Sequence, residues 1–305
     1  MEGERASRLP VIGMIGAGAV ASALAPALAA AGYPVRAVWS RHAERAAALV
    51  ACLPSCHVVD TPQAVVDQAA VVFLAVPDDA IELVCTALHW TPARAVVHCS
   101  GALGRAPLAA AEAAGAQTGV FHPLQTFAGG PVPLAGVSIA IEAPEPLATI
   151  LVQMAQAIGG QPLRLTSADW PRYHVAAVFA SNYVVSSVAI AVQLLQHVGL
   201  SPDESLARLL PLLRSTVDNL ARIGLPDALT GPIARGDQQT LRRHLAVLAD
   251  EPLAREAYLA LAKATIPVAE ARATGQPERL AAVAAVRAFL EAAAREEQAD
   301  AGDRR

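Results

Sequence analysis

The sequence predicts an α/β domain with a doubly wound, mostly parallel sheet, followed by an all-helical domain. Three observations carry this. The first half alternates short apolar runs with Ala-rich helical runs, the pattern of a parallel sheet covered on both faces. A G-x-G-x-x-A turn joins the first apolar run to the first helical run. From Asp169 onward strand-like runs almost vanish, and helical runs punctuated by glycine take over.

In order, Val11–Ile15, Val35–Trp39, His57–Val59, Val71–Val76 and Ala95–His98 read as strands. Between them Val20–Ala31, Ala43–Cys52, Pro62–Ala69 and Ile81–Leu88 read as helices. Gly119–Phe121, Ser138–Ile141 and Pro162–Leu165 read as further strands around a helix at Pro146–Ile158, and Phe121–Phe127 as a loop-like segment. The later helices are expected at Tyr173–Val198, Pro202–Ile223, Gln238–Ala249, Pro252–Gly275 and Pro277–Glu297. The texture changes near Thr166, which places one domain at 9–166, a helical domain at 167–297 and a polar, frayed tail at 298–305.

Composition excludes several function classes. Hydrophobic residues make up 54 % of the 305 residues and charged residues 16 %, which excludes disorder over most of the chain. Lys plus Arg is 23 against 27 Asp plus Glu, a net charge of −4, which excludes a basic nucleic-acid footprint over the whole surface. Cys52, Cys56, Cys85 and Cys99 lie among apolar residues with no CxxC pair, so they read as reduced thiols of a cytoplasmic protein with no metal site. Val11–Ala31 is as apolar as a signal peptide, but Gly13, Gly16, Gly18 and Pro26 break it. Val175–Leu195 is long enough to span a bilayer, but Ser181, Asn182, Ser186, Ser187 and Gln193 would be costly in lipid. The expectation is a helix buried within protein and no membrane partner.

The turn Gly16-Ala17-Gly18-Ala19-Val20-Ala21 carries the first chemistry. Gly16 permits a tight turn, Gly18 lets backbone approach a pyrophosphate, and Ala21 lets the helix pack on the strand. The helix N-terminus then offers unpaired N–H groups to the phosphates. The end of the second strand selects the dinucleotide. An NAD site usually has a carboxylate there, but this chain has Ser40-Arg41-His42, with no acid before Glu44. Ser40 and Arg41 suit a 2′-phosphate, so NADP(H) is the expected cofactor. The competing reading makes Ser40 a helix cap and Arg41 a solvated charge. Val76 and Pro77, at the end of another strand, can wall the cofactor or simply turn the chain.

Ser100 and Gly101 end the strand at His98, where they can hold a carboxylate or a cofactor amide, or cap a helix. His122 and Gln125 can contact substrate, although a lone loop histidine is more often structural. On the long predicted helix His174 and Ser181 are seven residues apart on one face, with Asn182 flanking. The rise of about 12 Å from His174 to Asn182 is enough to bracket a small substrate. Such polar groups bond to neighbouring helices or face a ligand. Gly231–Asp237 reads as a rigid turn in which Asp237 caps the next helix, while Arg235 salt-bridges locally or clamps a carboxylate.

Across nearly its whole length the chain resembles a family of bacterial two-domain oxidoreductases. The matching stretches are Gly16–Ala21, Ser40-Arg41, His98–Gly101, His122–Phe127, Tyr173–Tyr183 and Gly231–Asp237. The family joins a Rossmann NADP-binding domain to a helical domain of unknown function, of the 6-phosphogluconate dehydrogenase C-terminal-like type. The superfamily includes ketopantoate reductases, 3-hydroxyisobutyrate dehydrogenases and pyrroline-5-carboxylate reductases. In ketopantoate reductase the matching helix carries a catalytic Lys followed by Asn residues. Here His174 stands in place of the Lys, Val178 in place of the first Asn, and Asn182 matches the second.

The resemblance implies NADPH-dependent reduction of a small carbonyl, foremost a 2-oxo acid such as ketopantoate. His174 would donate the proton, Asn182 and Ser100 would orient the substrate, and Arg235 or His122 would hold its carboxylate. It also implies a homodimer through the helical domain. Two alternatives stand beside it: an imine reductase of the pyrroline-5-carboxylate type, and a non-catalytic NADP sensor.

Overall fold

The computed structural model describes residues 9–128 and 132–303, with 296–303 described as backbone alone. Eight strands form one sheet: β1 (Ile12–Ile15), β2 (Val35–Trp39), β3 (His57–Val58), β4 (Val71–Leu74), β5 (Ala95–His98), β6 (Gln117–Pro123), β7 (Ser138–Glu142) and β8 (Gln161–Arg164). Their order is β3-β2-β1-β4-β5-β6-β7-β8, and every neighbouring pair is parallel except β6 with β7. The order reverses between β1 and β4, which opens a crevice at the carboxyl ends of those strands.

Six helices follow from the same half: α1 (Ala19–Ala30), α2 (Ala43–Val50), α3 (Pro62–Gln68), α4 (Asp78–Thr86), α5 (Ala109–Ala113) and α6 (Leu147–Ala157). The two-residue period of the strands sorts their side chains into two apolar layers. Val71 and Phe73 of β4 join Met14, Val97, Phe121 and Leu24 on one face. Val72 and Leu74 join Ile15, Val96, Val65 and Ile81 on the other. The sequence did not predict α5; its Ala-rich segment lacks the apolar spacing that marks a helix face.

Seven helices follow the sheet: α7 (Trp170–Ala180), α8 (Asn182–Gln196), α9 (Pro202–Ile223), α10 (Pro232–Arg235), α11 (Gln238–Val247), α12 (Pro252–Arg272) and α13 (Pro277–Asp303). The chain divides into two compact units, the first ending at Tyr183 and the second starting at Val184. This puts α7 with the sheet, because Trp170 packs with Val120 and Ala140 on its surface. In the second unit Leu241, Leu245, Leu259, Ile266, Val286 and Leu290 form the core.

Four sequence expectations are corrected. The helix expected at Tyr173–Val198 is two helices: Ser181 takes φ −127° and ψ −74°, outside helical geometry. The facial relation of His174 to Ser181 and Asn182, argued from one continuous helix, therefore does not hold. None of the residues of α8 is buried within the chain, against the expectation of a buried helix. His122 is a strand residue, since the β6–β7 ladder continues through His122 opposite Ala140 to Pro123 opposite Ile139. The frayed tail is helical backbone as far as Asp303, while 304–305, like the flank Met1–Arg8, lie outside the described residues. Asp237 does cap α11 as expected, its Oδ1 accepting from the Thr240 N–H at 3.0 Å.

Candidate active site

The cofactor end is built by the turn between β1 and α1. Gly16 has φ +106°, and a Cβ there would stand 2.2 Å from the Ala75 carbonyl oxygen. Only glycine fits, because the turn is wedged against its neighbours: Gly16 N–H donates to Trp39 O and Ala75 N–H to Ile15 O, both at 2.8 Å. The position a Gly18 Cβ would take has no protein atom within 4 Å, so the backbone there is open to a ligand. Gly18 caps α1 with no side-chain hydrogen bond, and the first turn holds no acid, which leaves the helix N-terminus fit for an anion. Ala17, Gly18, Ala19, Ser22 and Arg45 line a cavity of about 380 Å³. Val20, partly buried, packs on the core beneath it.

At the end of β2 the Ser40 Oγ accepts from the His42 N–H at 3.2 Å, which shapes the turn into α2. Glu44, the first acid after β2, lies 3.7 Å from His42 Nδ1. Arg41 is exposed, and Arg45, one helical turn on, reaches the cavity beside Gly18. Val76 faces the Gly16 turn, its Cγ1 3.3 Å from where a Cβ on that glycine would stand, and Pro77 opens α4. An open Gly18, an acid-free helix start and two guanidinium groups fit a dinucleotide bearing a 2′-phosphate.

A polar cluster gathers at the carboxyl ends of β4, β5 and β6. Ser100 Oγ donates to Asp78 Oδ2 at 2.7 Å. The Ser100 N–H donates to His98 Nδ1 at 3.2 Å, which places the ring proton of His98 on Nε2, 3.0 Å from the Gly104 carbonyl. His122 Nδ1 lies 2.8 Å from Tyr173 Oη on α7; with the imidazole proton on Nε2, the phenol donates. Gly101 makes room for this ring, since a Cβ there would meet His122 Nε2 at 2.5 Å. His174 follows Tyr173, and its Nδ1 is buried with no hydrogen-bond partner.

Around Asp78 the His98, His122 and Tyr173 side chains are held in their neutral forms near pH 7. Burial, with the nearby His174 second, pushes the His122 imidazole down to about 4. Burial also lowers His98 and pushes the Tyr173 phenol up to about 12. The Cys99 thiol, buried beside Ser100, is likewise pushed up to about 12 and is no nucleophile. Arg105 is engaged elsewhere, with Glu142, Glu112 and Thr118.

Of the residues proposed from sequence, Ser100, Gly101, His122 and His174 come together here. Gln125 lies outside, exposed, its Oε1 accepting from the Thr126 N–H at 2.8 Å. Asn182 is exposed at the start of α8. Arg235 is exposed at the end of α10 in the second unit, where its charge helps hold the Asp237 carboxyl below its usual range. Sequence reasoning missed Asp78, His98, Tyr173 and Arg45. The signal for the first two was present, since both border strand ends that face the crevice.

Residues 11–102 match the family described as NADP oxidoreductase, coenzyme F420-dependent, and residues 137–265 match a domain of unknown function, DUF2520. The chain joins an NADP-oxidoreductase-type domain to a DUF2520 domain. No curated protein matches the chain. A Bacteroides fragilis protein assigned as an NADP oxidoreductase is 26 % identical, with a TM-score of 0.67 over 84 % of this chain and 97 % of its own. The pyrroline-5-carboxylate reductase of Streptococcus pyogenes has 17 % identity and a TM-score of 0.59, covering 86 % of this chain and 99 % of its own. An imine reductase of a Pseudomonas species has 17 % identity and a TM-score of 0.61, covering 86 % and 98 %. The last two share the fold. Domain and fold together class this chain with the NADP-dependent oxidoreductases.

Proposed function

We propose that the chain is an NADPH-dependent reductase of a C=N bond, acting on an imine in its protonated form. The observation that carries this is the charge of the cluster. Asp78 is hydrogen-bonded into it, while His122 and Tyr173 are neutral across the neutral pH range. A carboxylate beside neutral groups favours a cationic iminium over an anionic 2-oxo acid. The fold shared with an imine reductase and a pyrroline-5-carboxylate reductase supports the same class.

In this reading Gly16, Ala17, Gly18, Ala19 and Val20 hold the diphosphate, Ser40, Arg41 and Arg45 the 2′-phosphate, and Val76 and Pro77 one wall of the cofactor. Bound NADPH would supply the hydride. His174, whose Nδ1 lacks a protein partner, holds the proton that makes the imine cationic. Asp78, oriented by Ser100, stabilises that charge. Tyr173 and His122 close the site against water. A 2-oxo acid such as ketopantoate would need a cation at its carboxylate, a role left to Arg235.

We also propose a cytoplasmic homodimer. By length and composition alone Trp170–Gln196, whose most apolar 18-residue stretch has a mean hydropathy of 1.9, could cross a membrane. Its exposed Val175, Phe179, Val184 and Val185, with Leu212 and Val217 of α9, equally suit a second copy of the chain. The decisive variant for the reaction is Asp78→Asn. It is expected to lower kcat/KM for a cyclic imine about tenfold, near 1.4 kcal/mol, with NADPH affinity unchanged. An unchanged kcat/KM would remove Asp78 from the reaction.

A further inference from the structure

We propose that Glu142 is a positioning residue: its buried carboxylate fixes the first turn of α7 so that Tyr173 stays seated on His122. Glu142 ends β7, opposite Val120 of β6, and is only 7 % exposed. Its Oε2 accepts from the Trp170 indole N–H, and its Oε1 accepts from Ser167 Oγ and lies 3.4 Å from Arg105 Nε. Three donors from two separate segments thus converge on one carboxylate. Ser167 and Trp170 lead into α7. Arg105 follows Gly104, whose carbonyl accepts from His98.

From Trp170 the contact passes ring to ring. The Trp170 and Tyr173 rings meet edge to face, 5.5 Å apart at 85°, and the Tyr173 and His122 rings do the same, 5.6 Å apart at 89°. An indole free to rotate would carry the phenol off His122. Packing against Val120 and Ala140 confines the indole, and the fixed acceptor for its N–H adds a directional hold on the rotamer. A buried ion pair is a weak device for stability, since an apolar replacement is often neutral or stabilising. What the carboxylate adds is orientation. Glu142 acts through Trp170 and Tyr173 and touches no reacting atom.

The test uses the full chain with Glu142→Gln, Trp170→Phe and the double variant. Trp170→Phe removes the indole N–H together with the pyrrole half of a buried ring, so its effect is read against Glu142→Gln, which leaves the ring packing in place. The histidines are followed by NMR across pH, alongside kcat, KM and Tm. The groups that act on His122 are Tyr173, His174, Asp78 and His98. Both single variants are expected to loosen the phenol, admit water and raise the His122 titration from about 4 toward the ordinary 6.5. In both, kcat should fall more than KM changes, and the double variant should be no worse than the worse single one. If Glu142→Gln does not fold, Glu142→Asp, which keeps the charge and draws the carboxylate back from the indole N–H, gives the same readings.

A lowered Tm with an unmoved His122 titration would make Glu142 a purely structural anchor and overturn the proposal. The kinetic part rests on the reductase reading, but the titration does not. Wild-type protein inactive on every imine would overturn the reductase reading, and the His122 titration would still decide this one.

Discussion

At the residue scale the cofactor preference turns on two guanidinium groups and a missing acid. Arg41 is exposed after β2, and Arg45 lines the cavity at Gly18. A hydrogen bond to a charged group contributes about 1.5–3 kcal/mol. Arg41→Ala with Arg45→Ala should therefore weaken NADPH binding by roughly 10–100-fold and leave NADH binding unchanged, as read by calorimetry. Equal weakening of both would assign the two arginines to something other than the 2′-phosphate. His174 is the residue proposed to hold the proton, and its buried Nδ1 has no hydrogen-bond partner among the described residues. His174→Ala should lower kcat on an imine by about 100-fold, the lower end of general acid catalysis, without altering NADPH affinity. Unaltered kcat would take the proton-holding role from it.

At the element scale the strands that carry the site set a pH dependence. His122 on β6 titrates at about 4 in the fold against 6.5 when exposed, and His98 on β5 is lowered in the same sense. Below pH 6.5 the unfolded chain takes up protons that the fold refuses. This stability is complete above pH 6.5 and is lost as pH falls toward about 4, His122 contributing on the order of 3 kcal/mol. Thermal unfolding across that window should show a falling Tm, with a shallower slope in His122→Gln. A Tm that rises on acidification would contradict the burial of both rings. The same elements show what the sequence could and could not reveal. Parallel strands buried on both faces stand out as apolar runs, so β1, β2, β4 and β5 were legible. The break at Ser181 was not, because Ser181-Asn182 is a short polar pair inside a long apolar run and neither Pro nor Gly marks it. His122 looked like a loop residue because its place in β6 depends on pairing with β7, a tertiary fact.

At the scale of the whole molecule, the fingerprint, the change of texture near Thr166 and the helical second half were all readable from residue order. The cluster was not. Asp78, Ser100, His122 and Tyr173 are scattered through the chain and meet only because β4, β5, β6 and α7 bring their ends together. Exposed Val185 and Leu212 belong to helices with scant cover from their own chain. Val185→Asp with Leu212→Asp should turn a dimer into a monomer in sedimentation, whereas a wild-type monomer would refute the homodimer. The central claim concerns the reaction, and NADPH consumption tests it most directly, comparing kcat/KM for a cyclic imine with that for 2-oxo acids. The account predicts a preference for the imine of at least about tenfold, the selectivity of roughly one well-placed charge. Turnover of 2-oxo acids with none on imines would contradict it.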